Sequence, residues 1–175
     1  MCNLVVKFAS LWNEVAADSD SVRGKLKHLV KNIQLRCYGH PMEASWADSC
    51  GDTALHRLCQ IARFPSTLND AILSLTTLLV NVADALIEDY AGSATVACNN
   101  WRETPLHQFV SHCGLPNHFS DDETFLAASL PENPLFDLLK LLSRDNACAI
   151  RNCLGSLPLH DACELSGWEI ETQLR

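Results

Sequence analysis

The chain has 175 residues, of which 47% are hydrophobic, so it is long enough to bury the core of one ordinary domain. It contains no apolar run long enough to span a membrane, and its start lacks the basic flank and long apolar centre of a signal peptide. The net charge of −8 argues against general nucleic-acid binding, which requires neutralisation of phosphates. The nine cysteines are expected to be reduced thiols of an intracellular protein, cytoplasmic or nuclear.

The first 36 residues differ in charge from the rest of the chain. They contain six lysines and arginines against three aspartates and glutamates, whereas residues 37–175 contain seven against eighteen. Apolar spacing predicts a helix over residues 4–16 and a second helix after a cap at Ser21. The polar side of the second helix has several cations, namely Arg23, Lys25, Lys27, His28 and Lys31. They form either a solvated face or a patch for an acidic partner or phosphate.

A four-residue segment then recurs three times, each time five residues after an Asp or Asn. The copies are Thr53-Ala54-Leu55-His56, Thr104-Pro105-Leu106-His107 and Leu157-Pro158-Leu159-His160, after Asp48, Asn99 and Asn152. Thr can cap a helix, and Pro fits the first helical position because no N–H is needed there. The Leu enters the core, and the two ring nitrogens of His can tie groups of the loop together. Each copy therefore predicts the start of a helix.

Between the copies, the pattern predicts further helices. The first copy begins a helix of about residues 54–63, and a second one, capped at Ser66 or Thr67, continues to about Tyr90. That long helix is apolar on several sides, so it is expected to lie between neighbouring elements, with a coiled-coil surface as the alternative.

The second copy begins a helix of about residues 105–113, and an insertion follows it. A capping-box pattern at residues 120–123 predicts a short extra helix, and Asn133-Pro134 starts the next one, with a leucine stripe to Leu142. The third copy begins a helix of about residues 158–166. Only eight residues follow Gly167, so they form a short cap, or the chain is part of a longer array.

The three copies resemble the ankyrin repeat, whose signature is T-P-L-H-x-A. The loops ahead of the first and third copies follow the family pattern of Asp or Asn, two variable residues, Gly and one variable residue. Residues 92–98 and 145–151 look like the family's stretch from outer helix to loop. The resemblance implies an all-α, ankyrin-type helical solenoid with enlarged inter-motif segments. Its first unit is an N-terminal helix pair with a connector (1–47), and the pair is either a degenerate repeat or a cap. Two ankyrin-like repeats follow (48–98 and 99–151, the second with the extra helix), and then a partial repeat (152–175).

The copies also depart from the family pattern. His56 and His107 are 51 residues apart, and His107 and His160 are 53 apart, against a family period of about 33. Each repeat therefore contains an insertion. Arg102 replaces the loop glycine, at a cost of roughly 1 kcal/mol if the position requires a positive φ. Leu157 replaces the capping Thr.

Ankyrin-like arrays bind other proteins through their loop tips, so the resemblance implies a non-enzymatic interaction scaffold without a cofactor. The implied contact residues are Ser49, Cys50, Asp52, Asn100, Trp101, Glu103, Cys153, Leu154 and Ser156. Exposed inner-helix positions are expected at Arg57, Gln60, Gln108, Ser111, Asp161 and Glu164. Trp101 is the best single candidate, since an exposed Trp can anchor an interface, unless its ring folds over a neighbouring loop.

Three other functions are alternatives to this one. The chain could be a structural segment of a longer array, without a binding surface of its own. Zinc ligation by Cys148, Cys153, His160 and Cys163 is disfavoured, because no C-x-x-C pair occurs and the repeat explains the histidine. An enzyme is disfavoured because no phosphate loop, nucleophile elbow or kinase signature is present.

Overall fold

The computed structural model describes residues 2–14, 20–40, 42–62, 70–88, 93–112 and 134–165, and every regular element in these ranges is helical. The protein is therefore all-α, as predicted. The α-helices in these ranges are α1 (Cys2–Glu14), α2 (Asp20–Gly39), α3 (Ala54–Ile61), α4 (Asp70–Glu88), α5 (Pro105–His112), α6 (Pro134–Leu142) and α7 (Pro158–Leu165). Three 3-10 turns are also present: Glu43–Ser45, Ala94–Val96 and Arg144–Ala149.

The recurring segment starts a helix in all three places, as its residues predict. Thr53 is the N-cap of α3, with an extended backbone (φ −78°, ψ 172°). Helices α5 and α7 begin at Pro105 and Pro158, whose rings fix φ near the helical value and lack the N–H that a first turn leaves unpaired. Helix α3 ends at Ile61, earlier than the expected residue 63. The short helix expected at residues 120–130 and the segment 166–175 lie outside the described residues.

The helices form two rows. Helices α1, α3, α5 and α7 contact one another in that order, and α2, α4 and α6 form a second row in the same way. Helix α1 also packs on α2, and α3 on α4. Helix α4 thus contacts α2, α3 and α6, which explains why its sequence is apolar on several sides.

The core lies between the two rows and along each of them. Its largest fully buried side chains come from α1 to α6: Phe8, Leu26, Ile33, Leu55, His56, Leu58, Leu79, Leu86, Phe109, Leu135, Leu138 and Leu142. The rings of Phe8 and Trp12 stack with their centroids 5.8 Å apart. His56 is a polar member of this core, which a hydrophobic pattern does not predict.

The stretches that lead into the second and third loops are also neighbours. The 3-10 turn Ala94–Val96 contacts the turn Arg144–Ala149. The carboxylate of Asp145 accepts hydrogen bonds from the hydroxyls of Ser93 (2.5 Å) and Thr95 (3.1 Å). These bonds lower the pKa of Asp145. Equivalent parts of successive segments therefore lie side by side.

Candidate binding surface on the loop tips

Three loops, at residues 48–53, 99–104 and 152–157, share one backbone hydrogen-bond pattern. In the first, the N–H of Asp48 donates to the carbonyl of Asp52 (3.0 Å), and the N–H of Gly51 donates to the carbonyl of Asp48 (2.9 Å). The second and third loops repeat both bonds at 2.9–3.0 Å. The three loops therefore have the same folded shape.

The first residue of each loop holds that shape with its side chain. Oδ1 of Asp48 accepts from the N–H groups two and four residues later, at 2.8 and 3.1 Å. Oδ1 of Asn99 and Oδ1 of Asn152 accept the equivalent pairs, all at 3.0 Å. Either Asp or Asn can hold this loop shape, because the two bonds to the loop backbone need only an acceptor oxygen.

His56 connects the start of α3 to the next loop. Its Nδ1 accepts from the N–H of Thr53 (3.2 Å) and lies 2.9 Å from the Thr53 hydroxyl, while Nε2 lies 3.0 Å from the carbonyl of Glu103. A carbonyl can only accept, so Nε2 bears the proton and the ring is neutral. Burial of the ring lowers the pKa of His56.

His107 makes the same contacts one loop further on. Its Nδ1 accepts from the N–H of Thr104 (3.1 Å), and its Nε2 donates to the carbonyl of Ser156 (3.3 Å). His160 keeps only the first of these bonds, from the N–H of Leu157 at 3.2 Å, and its side chain is exposed. No further loop lies against it among the described residues.

The loops are also joined directly, edge to edge. The N–H of Asn100 donates to the carbonyl of Cys50 (3.0 Å), and the N–H of Cys153 donates to the carbonyl of Trp101 (2.8 Å). The side-chain amide of Asn100 adds a bond to the carbonyl of Ser49 (3.0 Å). The tips of the three loops therefore form one continuous row. We call residues 49–52, 100–103 and 153–156 the loop-tip row.

The fourth position of each loop has a left-handed backbone. The φ angles are 78° at Gly51, 60° at Arg102 and 83° at Gly155. Arg102 therefore has the conformation that its alignment with the two glycines predicts. At Gly51 the space is also restricted, because a Cβ atom would lie 2.7 Å from Oδ1 and 2.8 Å from the backbone nitrogen of Asn100. At Gly155 a Cβ atom would meet nothing within 4 Å.

The residues of the loop-tip row differ in exposure. Trp101 is 48% exposed and Leu154 is 85% exposed, on neighbouring loops. Ser49, Asn100 and Cys153 are exposed as well, whereas Cys50, Glu103 and Ser156 are half-buried. A partner that approaches this row would meet two large apolar groups surrounded by polar ones.

Asp52 is 2% exposed, and its carboxylate is used within the protein. Oδ1 accepts from the side-chain amide of Asn99 (2.9 Å), and Oδ2 accepts from Gln60 (3.0 Å) and lies 3.5 Å from the Arg57 guanidinium. Arg57 also pairs with the carboxylate of Asp48. Asp52, a candidate contact residue by its sequence position, is therefore not open to a partner.

The inner helices continue this polar network. Gln108, 8% exposed, donates to Oε2 of Glu103 (2.5 Å), which also accepts from Asn99 (3.1 Å). The sequence predicts that Arg57, Gln60 and Gln108 are open inner-helix positions, but all three side chains bond to loop carboxylates or to each other. The sequence pattern does not indicate this network, because apolar spacing says nothing about which polar side chains pair. Most of its bonds join a loop to the helix that follows it, and one, from Asn99 to Asp52, joins two successive loops.

The cysteine and histidine positions show no metal centre in the described part of the chain. No group of three or more His, Cys, Asp or Glu side chains lies close enough there to hold a metal ion, although Cys148, Cys153, His160 and Cys163 are all described. No disulfide bond joins the cysteines at positions 37, 50, 59, 98, 148, 153 and 163. Cys59 is completely buried, and this burial raises the pKa of its thiol.

Among the described helices, none is long and apolar enough to cross a membrane. No family model, no curated protein and no solved structure matches the chain. A function is therefore inferred from the geometry of the loops.

Proposed function

We propose that this protein is a non-enzymatic scaffold of ankyrin-repeat type that binds another protein through the loop-tip row. The main support is that three loops of one shape join edge to edge and place Trp101 and Leu154 on neighbouring tips. The two rows of helices, contacting one another in chain order, are the arrangement that a solenoid of stacked helix pairs requires. The repeat boundaries remain those predicted above.

The composition of the loop-tip row supports protein binding. Protein interfaces combine a few large apolar anchors with a polar rim, and Trp is enriched among the anchors. Trp101 and Leu154 would be the anchors, with Ser49, Asn100 and Cys153 beside them. Because hydrogen bonds already fix the loop backbone, binding would require little further ordering of the scaffold.

The histidines support a non-enzymatic role. His56 and His107 use both ring nitrogens in bonds to the backbone, so neither has a nitrogen available for proton transfer. The buried thiol of Cys59 has a raised pKa, which disfavours the reactive thiolate. We also propose a cytoplasmic or nuclear location, which the lack of disulfide bonds among the cysteines at positions 37, 50, 59, 98, 148, 153 and 163 supports.

The test is affinity purification from the native cell with the wild-type chain and with Trp101→Ala as bait. We expect Trp101→Ala to reduce recovery of the partner at least tenfold without lowering the melting temperature, because the ring contributes contact area and not packing. Trp46→Ala is the matched control, since Trp46 is 63% exposed and lies outside the loop-tip row. Equal losses of binding and stability would mean that Trp101 packs within the protein. Unchanged recovery would exclude it as an anchor.

A second candidate function is that of a structural segment in a longer array. Leu159 is 70% exposed, whereas Leu55 and Leu106, its counterparts in the other copies, are each 2% exposed. An edge of this kind could receive a further helix pair. Sedimentation velocity distinguishes the two: association that rises with concentration and disappears in Leu159→Glu, together with no partner at the loop tips, would favour the structural segment.

A further inference from the structure

Helix α2 exposes a stripe of residues on the side that faces away from the core. Val22, Leu26, Ile33 and Cys37 are buried on the inner side. The residues of the outer stripe are all exposed and are spaced alternately four and three residues apart: Gly24, His28, Lys31, Leu35 and Tyr38. Leu35 is 59% exposed and Tyr38 is 80% exposed. Residues four and three positions apart lie on one side of a helix, so these five form one continuous exposed face.

A groove between α1 and α2 lies beside the first half of this stripe. It has a volume of about 580 Å³ and is lined by Lys7, Leu11, Ser21, Gly24, Lys25, His28 and Leu29. Leu29 is buried and Leu11 is half-buried, so the floor is apolar, while the exposed Lys7 and Lys25 line the rim. None of the lining residues is acidic. The groove therefore combines an apolar floor with positive charge, in a protein whose net charge is −8.

Gly24 is shared by the stripe and the groove, and the fold itself does not require a glycine there. A glycine inside a helix costs about 1 kcal/mol relative to alanine. A Cβ atom at Gly24 would meet nothing within 4 Å, so no neighbouring atom excludes a side chain. A missing side chain allows another backbone to come close. Gly24 thus leaves room for another backbone to approach this part of α2 closely.

We infer that this face of α2, together with the groove, is a docking site for an acidic amphipathic helix of a partner protein. Carboxylates of that helix would face Lys7, Lys25 and Lys31, and its apolar residues would contact Leu11 and Leu35. A membrane surface fits less well, because an interfacial helix inserts its apolar face, and the apolar face of α2 packs in the core. The site is separate from the loop-tip row and does not depend on the function proposed for it.

The probe is a fluorescent synthetic peptide of 21 residues with Leu at the core positions of its heptads, Glu at the positions that flank them and Ala elsewhere, so that like-charge repulsion does not prevent helix formation. Fluorescence anisotropy with the full chain is expected to show saturable binding that weakens as salt rises. A peptide with Lys in place of Glu should not bind. Lys25→Glu should weaken binding of the acidic peptide at least tenfold. Lys140→Glu, the same charge change at an exposed lysine of α6, should leave binding unchanged.

A second variant, at Gly24, tests whether the peptide comes close to the backbone of α2, independently of charge. Gly24→Leu should also weaken binding at least tenfold, while the melting temperature stays equal or rises, because Leu is the better helix former. Failure of the acidic peptide to bind, equal binding of the Lys peptide, or unchanged binding by Gly24→Leu would each overturn the proposal. Phosphatidylserine vesicles are tested in parallel. Vesicle binding that Lys25→Glu abolishes, without peptide binding, would assign the face to lipid instead.

Discussion

Nε2 of His56 donates a hydrogen bond to the backbone carbonyl of Glu103 at 3.0 Å, across 47 residues of sequence. The other nitrogen of the same ring accepts from the N–H at the start of α3. One side chain thus fixes a helix start and docks the next loop against it. His107 does the same for the third loop, whereas His160 has no loop to dock among the described residues.

Replacing the histidines one at a time should separate these two tasks. His56→Ala leaves a buried N–H and a carbonyl without partners, so we expect a loss of roughly 2–4 kcal/mol in the free energy of unfolding. His160→Ala removes one bond at an exposed position and should cost less than about 1 kcal/mol. Urea denaturation of both variants measures the difference. Equal losses would show that contact with the next loop adds no stability.

Stability should depend on pH through His56. Burial lowers the pKa of the folded ring below its unfolded value of about 6.5, so the unfolded chain binds the proton more readily. The contribution of His56 to the free energy of unfolding is complete above about pH 6.5, and it is lost as pH falls toward the pKa of the folded ring. The pKa of Glu43, held at about 2 by Arg36, keeps that carboxylate ionised throughout this window.

Urea midpoints at pH 7.5, 6.5 and 5.5 test this expectation. The wild-type midpoint should fall between pH 6.5 and 5.5, and His56→Gln should show a smaller fall, because its amide does not titrate. An equal fall of the urea midpoint in the two proteins would contradict a contribution of His56 to the pH dependence of stability.

Two loop glycines should respond differently to the same substitution. Gly51→Ala must accept a positive φ and also displace Asn100, which the new Cβ would approach to within 2.7 Å. Gly155→Ala must accept only the positive φ, at a cost of roughly 1 kcal/mol. Gly51→Ala should therefore be the more destabilising by at least about 1 kcal/mol. Thermal melts of both variants measure the difference, and equal shifts would mean that the second loop does not press on the first.

Arg102 offers the reverse experiment. Its φ of 60° is left-handed, and the side chain is exposed. Arg102→Gly should stabilise the protein by up to about 1 kcal/mol, because glycine adopts this conformation without steric strain. Arg102→Ala keeps the strain and should show no gain, so it serves as the control. A gain in both variants would point to the charge of Arg102 instead.

Asn99 and Asn152 occupy the same loop position but differ in their neighbours. The amide of Asn99 donates to the carboxylates of Asp52 (2.9 Å) and Glu103 (3.1 Å). Asn99→Asp would replace that donor with a third carboxylate, so we expect a loss of at least about 2 kcal/mol at pH 7. Asn152→Asp keeps the Oδ1 acceptor, and the Asn152 amide has no such carboxylate contact in the described part of the structure.

Chemical denaturation of the two variants at pH 7 is the measurement. Asn152→Asp is expected to cost under about 1 kcal/mol, because only its Oδ1 contacts matter and Asp preserves them. A large loss in both variants would show that an amide is required in every loop, although Asp48 occupies the first one.

The sequence by itself determined where the helices after each loop begin, that the loops share one form, and that Arg102 lies at the glycine position. These properties depend on caps, proline rings and hydrogen bonds between residues at most four positions apart, so a short stretch contains them entirely. Only the tertiary structure decided which loop residues are open. Asp52 is buried and Trp101 is exposed because their surroundings come from neighbouring loops and helices, some of them about fifty residues away. The open space at Gly24 likewise cannot be predicted from the sequence, since it depends on how α1 packs beside α2.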